Sequence, residues 1–198
     1  MIEVKPHNIQ QSEVQVPGSK SYTHRMLIAG ALSDGVCVIK NALVSEDTRF
    51  TMAALAQMGI RIEVRKDDLL VHGQGGRLAS CEAPIYLGNS GTSMRLLTAV
   101  AALGKRRYTL TGTARMQKRP IKDLLDALQQ MRVKARSLND NGCPPVEVTG
   151  ATINADTVDI NCQKSSQYLS ALLLIAPYTR NGLEIRVAQG PVSRPYVD

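Results

Sequence analysis

A chain of 198 residues with 43% hydrophobic content can bury one sizeable core, and with one Phe, no Trp and six Tyr that core is aliphatic. The formal net charge of +7 is dispersed, with no basic tract longer than Lys105-Arg106-Arg107, and aromatic side chains for base stacking are scarce, which argues against a nucleic-acid module. A small anionic ligand held by several separate Lys and Arg residues accounts for the excess equally well, and a solvated surface accounts for most of it.

The first 14 residues stand apart as a lead-in, ahead of a crossover at Val16-Pro17-Gly18. Alternating apolar and polar residues then predict short strands at 13–16, 36–39, 60–64, 69–71, 108–110, 146–148, 157–160 and 183–187. Between them lie helices with readable ends. One opens at Ser21; a second is capped by Asp47 and stopped by Gly59; a third opens at Gly91 and closes by Gly104. A fourth carries Pro120 in its first turn and runs to about Met131, and a fifth, following Ser165-Ser166-Gln167, closes at Pro177. No apolar run approaches the roughly 20 residues of a membrane span. The N-terminus has neither the basic nor the apolar block of a signal or transit peptide. Cys37, Cys81, Cys143 and Cys162 are widely spaced, which reads as buried, reduced thiols of a cytoplasmic protein rather than a zinc or redox site.

The elements repeat. Ser21-Tyr22-Thr23-His24-Arg25-Met26-Leu27 returns about seventy positions on as Gly91-Thr92-Ser93-Met94-Arg95-Leu96-Leu97, with Arg25 falling on Arg95. Ala54-Leu55-Ala56-Gln57-Met58 likewise returns as Ala127-Leu128-Gln129-Gln130-Met131, and Ser165-Ser166-Gln167 opens a third copy. The expected fold is α/β (α+β), made of β-α-β-α-β-β units stacked in line, the third truncated.

Each unit places small, hydroxyl or glycine residues before its first helix: Ser19-Lys20-Ser21, Gly88-Asn89-Ser90-Gly91-Thr92 and Ser165-Ser166-Gln167. Ordinary capping explains any one of them. Three together, two with an Arg one turn into the helix, point to anion sites built from unpaired N–H groups and a cation on the same face. Arg115, with Lys118 and Arg119, lies at the corresponding rim of the second unit, and Ser193 and Tyr196 lie at that of the third. His7, His24 and His72 are isolated and read as structural or exposed. No phosphate-binding loop, Ser-His-Asp set or metal constellation is present in the sequence.

In family order, Pro17-Gly18-Ser19-Lys20-Ser21 with Arg25, Leu87-Gly88-Asn89-Ser90-Gly91-Thr92 with Arg95, Arg115-Met116 with Arg119-Pro120, and Ser165-Ser166-Gln167 with Pro195-Tyr196 resemble the 3-phosphoshikimate 1-carboxyvinyltransferase (EPSP synthase) family. The resemblance implies transfer of the enolpyruvyl group of phosphoenolpyruvate to the 5-hydroxyl of shikimate 3-phosphate, on the route to chorismate and aromatic amino acids, with no metal or organic cofactor. It implies two similar domains closing over the substrates. Residues 1–14 would then belong to the second, absent domain, and residues 15–198 would form an incomplete first domain of two full repeats and part of a third. It assigns Ser21, Arg25, Ser165, Ser166 and Ser193 to shikimate 3-phosphate with Tyr196 close by, Lys20 and Gln167 to both substrates, with Lys20 the catalytic residue of this half, and Arg115 and Gly91 to phosphoenolpyruvate. The family's proton-transfer carboxylates lie in its second half, so this chain alone is expected to lack turnover and to need the C-terminal domain. Glyphosate is implied as an inhibitor, although Leu96 stands where many members have Pro, and Tyr22-Thr23-His24 replaces smaller or amide residues. The related UDP-N-acetylglucosamine enolpyruvyl transferases differ in having Lys-Asn at Lys20-Ser21 and a reactive Cys in the loop occupied here by Arg115. A non-catalytic fragment that binds phosphorylated ligands is the alternative from another class.

Overall fold

In a computed structural model, Glu3 and residues 11–66, 68–192 and 194–197 are described. Among these residues five α-helices, α1 (Lys20–Leu32), α2 (Glu46–Gln57), α3 (Gly91–Ala101), α4 (Lys122–Gln130) and α5 (Gln167–Ile175), are interspersed with nine strands. The strands are β1 (Asp34–Ile39), β2 (Arg61–Arg65), β3 (Asp68–Gln74), β4 (Ile85–Tyr86), β5 (Arg107–Thr111), β6 (Lys134–Ser137), β7 (Val146–Thr149), β8 (Thr157–Asn161) and β9 (Glu184–Gln189). They form three sheets: β1-β3-β2, β4-β5-β7-β6 and the parallel pair β8-β9. The hairpins β2–β3 and β6–β7 are antiparallel, whereas β4 runs parallel to β5 because α3 carries the chain between them.

α1, α3 and α5 pack against one another in the interior. Leu27, Ile28, Leu96, Leu97, Ala171 and Leu172 are fully buried there. Burying an aliphatic side chain of this size contributes about 1.5–3 kcal/mol. The sheets flank these helices, and the first turns its other face to solvent, leaving Val36, Val38 and Val64 exposed. The expected mixed α/β class therefore holds, and β4-α3-β5-α4-β6-β7 follows the full β-α-β-α-β-β order, while several local expectations do not hold.

Residues 13–16 are exposed and form no strand, since alternation without a neighbouring strand leaves the backbone nothing to pair with. Most of the 1–14 lead-in lies outside the described residues. Asp47 is not the cap of α2. Ser45 is, in a reciprocal box in which Thr48 N donates to Ser45 Oγ (3.5 Å) and Ser45 N donates to Thr48 Oγ1 (2.8 Å). Pro120 lies ahead of α4, which Ile121 caps. The Pro120 carbonyl instead accepts from Tyr168 Oη at 2.8 Å.

Candidate active site

Ser19 caps α1, accepting from the Tyr22 N–H. That places Lys20 in the first turn, where Lys20 Nζ reaches Asp47 Oδ2 at 2.8 Å. Because Ser45 does the capping of α2, the Asp47 carboxylate is free for this pair while still lying in the helix's favourable first turn. The Lys20 side chain remains half-exposed, so the pair contributes little to stability and holds an ammonium at the surface.

One turn further along α1, Arg25 points the other way. Its Nη1 donates to the Ser21 carbonyl at 3.0 Å, and its Nη2 donates to Ser170 Oγ of α5 at 2.8 Å. The guanidinium lies 5.5 Å from the Tyr196 ring centroid, and Tyr196 in turn meets Tyr22 edge to face. Arg25 Nε is buried with no hydrogen-bond partner among the described residues, and burial pushes the guanidinium pKa below its ordinary value. A cavity of about 200 Å³ opens between Arg25, Ser170, Leu173 and Tyr196.

α3 and α5 meet in the same way. Arg95 Nη1 donates to Gln167 Oε1 at 2.7 Å, and Gln167 Nε2 donates to Thr92 Oγ1 at 3.0 Å. The Arg95 guanidinium stacks on Tyr168 at 5.5 Å, and burial lowers its pKa too. Gly91 is the first residue of α3 and is packed under Arg119: a Cβ there would come within 2.5 Å of the guanidinium. Arg119 Nη1 donates to the Asn89 carbonyl at 3.1 Å.

Thus the N-terminal turns of α1, α3 and α5 converge, and four residues singled out in the sequence, Lys20, Arg25, Gly91 and Gln167, each sit on a contact that crosses between elements. Ser21 is half-buried beside Arg25. Ser165 and Ser166 are buried before α5, where Ser165 Oγ accepts from Gln167 N at 3.2 Å. Arg115 is exposed, with no side-chain partner among the described contacts. Ser193 lies outside the described residues. Sequence reasoning passed over Asp47 and Ser170 as site residues; it placed Thr92, Arg95 and Arg119 at the anion-ready helix starts and rims without giving them a substrate. For Arg95 the signal was present, since it falls on Arg25 in the repeat.

Among the described residues, Arg25, Arg95 and Arg119 form no carboxylate ion pair; each is held by neutral oxygens, and Arg25 and Arg95 by aromatic faces as well. Three partly buried cations without a counter-charge form an electropositive floor suited to anions. No cluster of three or more His, Cys, Asp or Glu side chains among the described residues could hold a metal. No helix among them is long and apolar enough to cross a membrane.

The sequence profile of EPSP synthase (3-phosphoshikimate 1-carboxyvinyltransferase) matches residues 4–198. The chain belongs to the EPSP synthase family. Among family members, the 3-phosphoshikimate 1-carboxyvinyltransferase of Shewanella denitrificans is 38% identical over 200 residues, covering 100% of the chain and 47% of the relative. That of Methanospirillum hungatei is 44% identical over 181 residues, covering 91% of the chain and 42% of the relative. The chain spans about half the length of the curated relatives it matches. Among solved structures, EPSP synthase from Acinetobacter baumannii superposes with a TM-score of 0.77 at 33% identity, over 84% of this chain and 38% of that one. The enolpyruvyl transferase NikO from Streptomyces tendae superposes with a TM-score of 0.62 at 16% identity, over 88% of this chain and 39% of that one. This last likeness establishes the shared enolpyruvyl transferase fold.

Proposed function

We propose that the chain provides the first-domain half of an EPSP synthase site, which transfers the enolpyruvyl group of phosphoenolpyruvate to the 5-hydroxyl of shikimate 3-phosphate in the cytoplasmic route to aromatic amino acids. The observation that carries this reading is the convergence of Arg25, Arg95 and Arg119 at three helix N-termini with no carboxylate among their described partners. Each of the two substrates brings a phosphate and a carboxylate. Each charge-assisted hydrogen bond to such groups contributes about 1.5–3 kcal/mol.

In this reading Arg25 and Ser21 take the phosphate of shikimate 3-phosphate, with Ser165, Ser166 and Ser193 completing the shell and Tyr196 beside the ring. Gln167, already fixed by Arg95 and Thr92, sits between the two substrates. The backbone at Gly91 and the exposed Arg115 take phosphoenolpyruvate. Lys20 exchanges its Asp47 partner for substrate oxygens and reaches both molecules. Fixed donors already aimed at the reacting groups stabilise charge that develops in the tetrahedral adduct without reorganising at that moment.

Transfer also needs a proton delivered to the methylene carbon of phosphoenolpyruvate and one removed from the 5-hydroxyl. Asp47 is the nearest carboxylate to Lys20 and is occupied by it. The family resemblance places the acid–base carboxylates in the second domain, and the 198-residue chain by itself is expected to turn over no substrate. The same domain would exclude water on closing. Glyphosate would compete on the phosphoenolpyruvate side, next to Gly91.

The test is an amide-resolved NMR titration of the chain with shikimate 3-phosphate, with shikimate as control, and a parallel assay of phosphate release with phosphoenolpyruvate and shikimate 3-phosphate both present. Phosphate-dependent shifts at Ser21, Arg25, Ser165, Ser166 and Ser193, without phosphate release, are expected. A dispersed spectrum that does not move with either ligand would overturn the assignment of the phosphate site, and full-rate phosphate release would overturn the division of labour.

A further inference from the structure

Behind the site, four polar side chains are sealed inside an otherwise aliphatic core. His24 of α1, Thr51 of α2, and Ser90 and Ser93 at the start of α3 are each 0% exposed. They form one continuous line. His24 Nδ1 and Thr51 Oγ1 are 2.7 Å apart, Thr51 Oγ1 and Ser93 Oγ 2.7 Å, and Ser93 Oγ and Ser90 Oγ 2.6 Å. Ser93 Oγ also donates to the Asp47 carbonyl at 3.3 Å, and Ser90 is the N-cap of α3.

We propose that His24, Thr51, Ser93 and Ser90 are a positioning relay that fixes the N-termini of α1, α2 and α3 relative to one another, and so sets the spacing of Lys20, Asp47 and Gly91. This inference rests on the function proposed above.

Three observations favour positioning over plain packing. The line is incompletely satisfied, since His24 Nε2 is buried with no partner among the described residues. A group left so is a net cost to folding, and apolar residues of the same shape would do better by stability alone. Short hydroxyl bonds are directional, unlike apolar contact, so they lock the rotation and axial position of each helix. Finally, the line runs just beneath the site. Lys20 and His24 are one turn apart on α1, as are Asp47 and Thr51 on α2, so the exposed Lys20–Asp47 pair and the buried His24–Thr51 bond are successive rungs across one seam. The charges around His24 are Asp47 on α2 and Lys20 and Arg25 on α1, and the Thr51 hydroxyl of α2 joins it to the Ser93 hydroxyl of α3. Burial, the largest effect, lowers its pKa from 6.5 to about 4, so at neutral pH the relay carries a neutral imidazole.

The experiment compares the 198-residue chain with Thr51→Val, which removes the hydroxyl at constant shape, and with Thr51→Ser, which keeps it. Affinity for shikimate 3-phosphate and the NMR positions of Lys20, Asp47 and Gly91 are measured below the melting temperature of every variant. Thr51→Val is expected to weaken binding by about tenfold or more and to move those three signals, while Thr51→Ser restores both. Wild-type affinity in a well-folded Thr51→Val variant overturns the relay and leaves the functional reading intact. If Thr51→Val does not fold, Ser93→Ala removes the next hydroxyl and carries the same test. If the unmodified chain does not bind shikimate 3-phosphate, the functional reading fails in this chain and the unliganded spectra still decide. Unmoved Lys20, Asp47 and Gly91 signals then overturn the relay, and signals that move with Thr51→Val and return with Thr51→Ser support it.

Discussion

Replacing Arg25 with Met keeps an unbranched side chain of similar reach and removes the guanidinium. Two structural consequences oppose each other. The bonds to the Ser21 carbonyl and to Ser170 Oγ disappear, as does the contact with the Tyr196 ring; hydrogen bonds to a charged group contribute about 1.5–3 kcal/mol each. Against this, a partly desolvated cation with an unpartnered Nε no longer has to be buried, which returns several kcal/mol. Ser170 keeps an acceptor in the Tyr196 carbonyl. The net change in folding free energy is expected to stay within about 1 kcal/mol, as large opposing terms of this kind cancel. Binding has no such compensation. With the cation gone, the phosphate loses at least one charge-assisted bond, about 1.5–3 kcal/mol, or roughly tenfold to a hundredfold in affinity for shikimate 3-phosphate. Shikimate, which lacks the phosphate, should be affected far less. Calorimetric or NMR titration with both ligands, alongside a denaturant melt, reads all three quantities. Unchanged shikimate 3-phosphate affinity, or an equal loss for shikimate, would refute the assignment of Arg25 to the phosphate.

Gly91→Ala puts a Cβ within 2.5 Å of the Arg119 guanidinium. The far end of a long side chain can swing away, so the melt should shift by less than about 1 kcal/mol while phosphoenolpyruvate affinity falls; an unaltered phosphoenolpyruvate titration would contradict this. His24 has a folded-state pKa of about 4 against 6.5 in the unfolded chain, so below pH 6.5 the unfolded state takes up a proton that the fold resists. Stability is therefore complete above pH 6.5 and falls as pH drops through 6.5 to 4 by up to about 3 kcal/mol. His24→Asn should flatten denaturant melts across that window. Leu97→Ala, at a fully buried position between the central helices, should cost about 2–5 kcal/mol in the same melts. A loss below 1 kcal/mol would mean that the core can collapse around the missing atoms.

Several parts of this protein were legible in one dimension. The apolar periodicity of α1, α3 and α5 is carried by runs such as Leu27-Ile28 and Leu96-Leu97, and burial follows from it directly. The clustering of Ser, Thr and Gly before these helices is equally local, because a cap acts within three residues. Strands β4 and β6 were not legible. Two residues, Ile85–Tyr86, carry no period, and Lys134–Ser137 holds Ala and Ser at its inward positions. Both exist because β5 and β7 present open edges to them. Choosing Ser45 over Asp47 as a cap required knowing which side chain reached back to the helix start.

One dimension was enough for the aliphatic helix faces and the anion-ready helix starts, because each depends on residues within a few turns of one another, and for the motif similarity between residues 21–27 and 91–97, because that is a comparison of residue order alone. Only the tertiary structure decided which starts meet. The Lys20–Asp47, Arg25–Ser170 and Arg95–Gln167 contacts join residues far apart in the chain, and burial of His24 with Thr51, Ser93 and Ser90 depends on three helices arriving together. A residue pattern sets what a helix end can bind, but the partner it meets is fixed by how the helices pack.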